Sequence, residues 1–163
     1  MKRSLIVATA AVYAAMYVVL AVAFIPISYG VVNFRVANVL TGLIPLLGWP
    51  AVIGQALGVF IANQPALGDP LGPIDLINVI PSFLFAWVLW KLRRRSVFLG
   101  LTLYSVALGV SVSLSLSYAF NLPFLVEVPQ VTVGIFLATA VLGYILYKAV
   151  GRPGILQRRF GNQ

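Results

Sequence analysis

The side chains able to do chemistry in this chain are mostly amides and hydroxyls, with one arginine among them. Asn33, Arg35 and Asn38 stand at the start of one apolar run, Asn63 ends the next, and Asp75 with Asn78 opens another. Ser111, Ser115 and Tyr118 follow i, i+4, i+7 spacing, which places them on one face of a helix. Amide side chains donate and accept together, which suits the polar edge of a heterocycle. Tyr29 and Tyr118 offer rings to stack on it, and Arg35 offers a planar fork of donors. This is the chemistry of binding. The chain has no His and no Cys, so no Ser-His-Asp or Cys-His nucleophile set can form. The sequence has three carboxylates, Asp69, Asp75 and Glu127, too scattered along the chain to suggest a metal cluster. No GxxxxGK(S/T) phosphate loop is present. No metal or cofactor is expected. Capping is the competing use for several of these residues: Asn63 and Asp75 both suit helix ends, and Arg35 has Asp75 as a possible ion-pair partner.

The elements that must carry these residues are membrane helices. The 163 residues are 61% hydrophobic and 9% charged, against about 25% charged in soluble domains. A membrane span needs about 20 apolar residues. Residues 4–25, 74–90, 96–118 and 130–150 read as spans of roughly that length, with 120–128 as a short outer loop. Residues 36–47 and 50–63 are shorter, and Gly48-Trp49-Pro50 separates them as a stop and restart. They are either two thin crossings or one re-entrant hairpin. The expected fold class is an all-α integral membrane bundle of six helices forming a single domain. The first run is too long for a signal h-region and has no small-x-small site before Pro26, so it is expected to be retained.

Charge orients the bundle. Ten basic residues fall in three clusters: Lys2 and Arg3; Lys91, Arg93, Arg94 and Arg95; Lys148, Arg152, Arg158 and Arg159. Cytoplasmic loops collect Lys and Arg, so the N-terminus, the 91–95 loop and the C-terminus are expected on the cytoplasmic side of the cell membrane. Arg35 alone then lies outside, with all three carboxylates. The net charge of +8 is thereby a topology signal, and no nucleic-acid partner is expected. An isolated basic residue on the outer side needs a reason, and a substrate site provides one.

Small residues mark close helix approach in lipid. Ala10 and Ala14, and Ala11 and Ala15, are so spaced in the first span, as are Gly54, Gly58 and Ala62 in the third segment. The glycines are expected to pack inside the chain. The alanines suit either internal packing or a partner helix. Energy is a further constraint: with no ATPase motif and no acidic residue in mid-membrane, concentrative uptake would need a partner to supply the power.

Several ordered stretches resemble the QueT family, the substrate-binding S components of energy-coupling factor (ECF) transporters proposed to take up queuosine precursors. They are Ala14-Ala15-Met16-Tyr17-Val18-Val19-Leu20, Pro26-Ile27-Ser28-Tyr29-Gly30, Phe34-Arg35-Val36, the Gly54, Gly58, Ala62-Asn63 series, Gly72-Pro73-Ile74-Asp75 and Leu142-Gly143-Tyr144. The resemblance implies a six-helix S component with an outward-facing site for a small molecule. It also implies that the alanines at 10, 11, 14 and 15 dock a transmembrane coupling subunit, with two ATPases beneath. Where the family pattern carries glutamates, this chain has Asn38 and Ile135. A cationic amine in a low-dielectric pocket needs a compensating charge, so a neutral or anionic ligand beside Arg35 is expected. The other function classes are a non-transporting membrane scaffold that keeps the fold, and, more remotely, a membrane enzyme.

Overall fold

The computed structural model describes residues 3–25, 34–69 and 71–151. The expectations placed on Tyr29, Asn33, the break at 26–30, Lys2 and the basic tail from Arg152 onward lie outside the described residues.

Six helical segments form an all-α membrane bundle, with no strand among the described residues. Helix α1 is Arg3–Ala23, α2 is Val36–Leu47 and α3 is Trp49–Ala62. Helix α4 joins a 3-10 segment, Gly72–Asn78, to Val79–Leu92. Helix α5 is Val97–Phe120, and α6 is Phe124–Gly151. By length and apolar composition α1, α4, α5 and α6 can each cross a membrane.

The breaks have local causes. Gly48 sits at φ 76° between α2 and α3, a left-handed conformation that glycine adopts without a Cβ clash. Pro50 then falls in the first turn of α3, where its missing N–H costs no helical bond. Ser96 caps α5 by accepting the Leu99 N–H at 3.2 Å. Asn121, at φ 54°, ends it. The expected loop over 120–128 is much shorter, because α6 begins at Phe124 and carries Pro129 inside it. The carbonyl that Pro129 leaves without a helical donor belongs to Leu125, a residue 85% exposed at the end of the bundle, where solvent can serve it.

Helix α2 has no exposed residue and runs through the middle of the bundle. Its first eight residues, Val36–Leu43, form a 3-10 helix. At about 2.0 Å rise per residue against 1.5 Å, this gives the twelve residues a reach of roughly 22 Å. That is about the length of the fourteen-residue α3. Neither spans the roughly 30 Å of a bilayer core alone; α2 is enclosed, whereas α3 packs on α1 and leaves Leu57, Phe60 and Ile61 exposed. At mid-length α2 meets α6 backbone to backbone: a Cβ on Gly42 would collide with the Gly143 carbonyl.

The glycines of α3 serve the internal contact with α1. A Cβ at Gly54 would lie 2.8 Å from the Ala10 carbonyl oxygen, and one at Gly58 would lie 2.8 Å from the Tyr17 Cβ. Ala10, Tyr13, Ala14 and Tyr17 are consequently buried. This corrects the set of alanines assigned to a partner: Ala10 and Ala14 are used up inside the chain, whereas Ala11 and Ala15 are exposed.

Candidate functional site

Arg35 stands just before the first turn of α2 with extended backbone, and it caps nothing. It is 7% exposed, and its guanidinium reaches across the bundle end. It donates to Asn63 Oδ1 at 2.8 Å and to Asp75 Oδ2 at 3.2 Å. Asn63 turns its amide nitrogen onto the Asp75 main-chain carbonyl at 3.0 Å. The Asn78 amide donates both to Asp75 Oδ1 and, at 3.2 Å, to Ser115 Oγ. Ser111 in turn donates to Asn78 Oδ1. Asn38, one turn into α2, accepts from the Tyr17 hydroxyl at 2.8 Å.

The structure therefore brings together Arg35, Asn63, Asp75, Asn78, Ser111 and Ser115, with Asn38 beside them. Capping does not account for them. Asn63 and Asp75 lie at helix ends, yet the Asn63 side chain bonds across to α4, and the Asp75 carboxylate takes the side chains of Arg35 and Asn78 in place of backbone N–H groups of its own turn. Tyr118 does not join. It is 76% exposed and borders a surface groove of about 480 Å³ with Pro73, Ile74, Ile77, Leu114 and, from the network, Ser115. It lies in the last turn of α5 with its side chain largely exposed, so helical spacing puts it on the face of Ser115 without burying it in the network.

Tyr17, Arg35, Asn38 and Asn78 form one side of a cavity whose other lining is Val59, Leu108, Val112 and Ile135. Its volume is about 10 Å³, room for roughly one water. Polar groups converge on one side and apolar walls on the other, the usual make-up of a small-molecule site. Any heterocycle must widen it first. Ile135 supplies part of the apolar wall.

The elements holding these groups depart from α geometry. Arg35 and Asn38 flank or occupy the 3-10 stretch of α2, and Asp75 and Asn78 ride the 3-10 stretch of α4. Just past Ile135, α6 contains a π segment, Leu137–Leu142. Such segments are uncommon at these lengths and recur where function strains a helix.

Three residues were missed. Tyr17 read as part of an apolar helix. Gln55 organises a second, deeper polar layer: it accepts from Tyr13 at 2.7 Å and donates to the Tyr104 hydroxyl at 2.8 Å, which also pairs with Ser82 at 2.9 Å. All four are buried. An amide in the middle of a helix as apolar as 49–62 is costly unless bonded, and that was the signal available. Asp69 entered the sequence reading only as a topology marker. It is 6% exposed and accepts the Leu71 N–H at 2.8 Å. Burial, then the neighbouring Asp75 charge, pushes its carboxyl up to about 7.

Arg35 is thus already charge-compensated within the chain by Asp75. The expectation of a neutral or anionic ligand assumed an open guanidinium, and that premise does not hold.

An all-α bundle that gathers buried amides, hydroxyls and an ion pair over a small amphipathic cavity is the architecture of a membrane transport protein. The model of the QueT transporter family matches residues 7–152, nearly the whole length, and the chain belongs to that family. Comparison with curated proteins and with solved structures gives no match.

Proposed function

We propose that this chain is the substrate-binding S component of an ECF-type uptake transporter. In this reading it captures a small heterocyclic micronutrient, such as a deazaguanine precursor of queuosine, from the outer side of the cell membrane. The observation that carries the reading is the Arg35–Asn63–Asp75–Asn78 network beside a cavity with apolar walls. Asn38, Asn78, Ser111 and Ser115 present amide and hydroxyl groups for the polar edge of the ring, and Val59, Leu108, Val112 and Ile135 receive its faces. Tyr29 and Asn33, from the segment entering α2, belong to the same proposal on sequence grounds. Both termini and the 91–95 loop face the cytoplasm. Power comes from a transmembrane coupling subunit with two ATPases, docked on the exposed Ala11 and Ala15 stripe of α1.

Co-purification and uptake test this reading together. The tagged protein is expected to bring down a coupling subunit and two ATPases. Cells expressing the set are expected to accumulate a labelled deazaguanine in an ATP-dependent manner. Isolation in some other complex, with no uptake, would instead favour a scaffold that keeps the fold with its cavity closed.

A further inference from the structure

Helix α4 ends in a basic, tryptophan-rich turn that the Arg35 network does not use. Lys91, Arg93 and Arg94 surround, with Trp90, one pocket of about 300 Å³. Aromatic rings hold two of these cations in place. The Lys91 ammonium lies 5.0 Å from the centre of the Trp90 ring and 5.6 Å from that of Trp87. The Arg93 guanidinium lies 4.8 Å from the Trp90 ring centre and donates to the Trp90 carbonyl at 3.1 Å. A ring face attracts a cation without neutralising it, so these contacts order the side chains and leave their positive charge in place. The side-chain carboxylates of the sequence lie at the other end of the bundle, Asp69 and Asp75 around the start of α4 and Glu127 in the first turn of α6. Topology alone does not call for this arrangement. A basic loop orients a bundle by its count of Lys and Arg, and needs neither ordered cations nor a shared cavity.

Two further features set the pocket at the membrane surface and lead from it into the bilayer. All three tryptophans of the sequence, Trp49, Trp87 and Trp90, gather at this end, with Trp49 and Trp90 at 5.8 Å between ring centres. Tryptophan collects at headgroup level. From there the exposed residues of α4 form a single stripe: Ile77, Ile80, Leu84, Trp87 and Lys91 follow one another at intervals of three or four, and Arg94 extends the series. From Trp87 to Ile77 the stripe runs about 15 Å, half of a hydrocarbon core of roughly 30 Å. It is an apolar track one leaflet deep, with cations at its head.

An anion from solution would use the charges and leave the track bare. A molecule with an anionic head and acyl chains uses both. We propose that the Trp90, Lys91, Arg93 and Arg94 pocket binds the headgroup of an anionic phospholipid, with an acyl chain laid along Leu84, Ile80 and Ile77. Lys91 and Arg94, the exposed cations, meet the phosphate, and Arg93 stands beside them on the Trp90 ring. Basic pockets at the ends of membrane helices take such headgroups by this combination of charge and depth. A lipid held here fixes the turn between α4 and α5 at the bilayer surface.

The experiment is native mass spectrometry of the full-length protein in a neutral detergent, titrated with dioleoyl phosphatidylglycerol or dioleoyl phosphatidylcholine, which differ in the headgroup alone. The first phosphatidylglycerol is expected to bind about 25-fold more tightly than the first phosphatidylcholine, roughly fivefold for each of the two exposed cations. Lys91→Gln with Arg94→Gln is expected to bring the two lipids close to parity. Arg95→Gln and Lys148→Gln, which remove equal charge outside the pocket lining, are expected to keep the preference within about twofold. Glycerophosphoglycerol, the same headgroup without acyl chains, is expected to compete only at concentrations at least a hundredfold higher than the lipid. Equal binding of the two lipids by the unmodified protein overturns the proposal. So does a loss with Arg95→Gln and Lys148→Gln as large as with the pocket pair, which would make the attraction diffuse. Competition by the soluble headgroup at the lipid's own concentration assigns the pocket to a free anion and overturns the lipid. The lipid comparison and the competition both use the unmodified protein, so they decide the matter even if a variant does not fold.

Discussion

Arg35 and Asp75, 40 residues apart in sequence, meet at 3.2 Å at the end of the bundle and fix the start of α2 to the start of α4. Each is buried, so each needs the other: removing one partner of a buried pair leaves an uncompensated charge, a loss of about 3–5 kcal/mol. Arg35→Ala and Asp75→Ala are each expected to lower the apparent Tm sharply. The double variant should recover much of that loss, because it removes the orphaned charge. What it should not recover is affinity for the ligand. A double variant that is stable and binds normally would show the pair to be structural only.

The polar layer around Gln55 makes a separate forecast. Gln55→Leu strips the Tyr13 hydroxyl of its acceptor and leaves Tyr104 with Ser82 alone. A buried group left unbonded costs about 1–3 kcal/mol. Adding Tyr13→Phe to Gln55→Leu is expected to restore part of the stability, since no stranded hydroxyl then remains at position 13. Thermal unfolding of the two variants measures this. Equal stability of the single and double variants would count against the layer as a set of coupled bonds.

How far the sequence discloses these features follows from the range of the interaction involved. The spans at α1, α4, α5 and α6 were legible, because hydrophobic length is a local property. The glycines at 54 and 58 were legible as internal packing for the same reason. The convergence of Arg35, Asn63, Asp75 and Asn78 was legible because polar side chains at the ends of apolar runs have few other uses. Partner choice was not. Ala10 and Ala11 are neighbours of one type, and only the placement of α3 decides that one is buried and the other exposed. Tyr17 acquires its role from Asn38 on α2, distant in sequence, so no local pattern marked it. Tyr118 had the right spacing, but the α4 residues that share its groove, Pro73, Ile74 and Ile77, are apolar.

The alanine faces of α1 separate fold from docking. Ala14→Leu forces bulk into the buried side of α1 and is expected to cost about 1–3 kcal/mol, with reduced yield of folded protein. Ala11→Leu with Ala15→Leu adds the same bulk to the exposed face. That variant is expected to fold and bind ligand as before, while ATP-driven uptake falls severalfold, because bulky side chains keep a partner helix at a distance. Normal uptake by the Ala11/Ala15 variant would remove the docking role from this face.

Orientation is checked by labelling. The chain contains no Cys, so single cysteines can be placed at will. A cysteine at position 94 is expected to resist an impermeant maleimide in intact cells and to react after lysis. One at position 126, exposed in the first turn of α6, is expected to react in both. Labelling of position 94 from outside would invert the bundle and place the Arg35 network on the cytoplasmic side.

The last expectation concerns pH and the ligand-free protein. The Asp69 carboxyl is raised from an ordinary value of 3.8 to about 7, first by burial and then by the Asp75 charge. A group whose folded pKa lies above its unfolded one holds its proton more tightly in the folded state. The contribution from Asp69 is therefore fully present below about pH 3.8 and is lost as pH rises through about 7. The chain has no His, the one side chain that ordinarily titrates between pH 5 and 8. Across that window the apparent Tm of the ligand-free protein is expected to fall by several degrees, most of it below about pH 7, because the folded state keeps a proton there that the unfolded chain has lost. Asp69→Asn cannot titrate and should flatten the profile while keeping the hydrogen bond to Leu71. Asp75→Asn tests the cause: with the neighbouring charge gone, the fall should move to lower pH, and the destabilisation from the unpaired Arg35 should appear at every pH. A wild-type Tm that rises from pH 5 to 8 would show that Asp69 is ionised at ease in the folded protein and would refute its placement against Asp75.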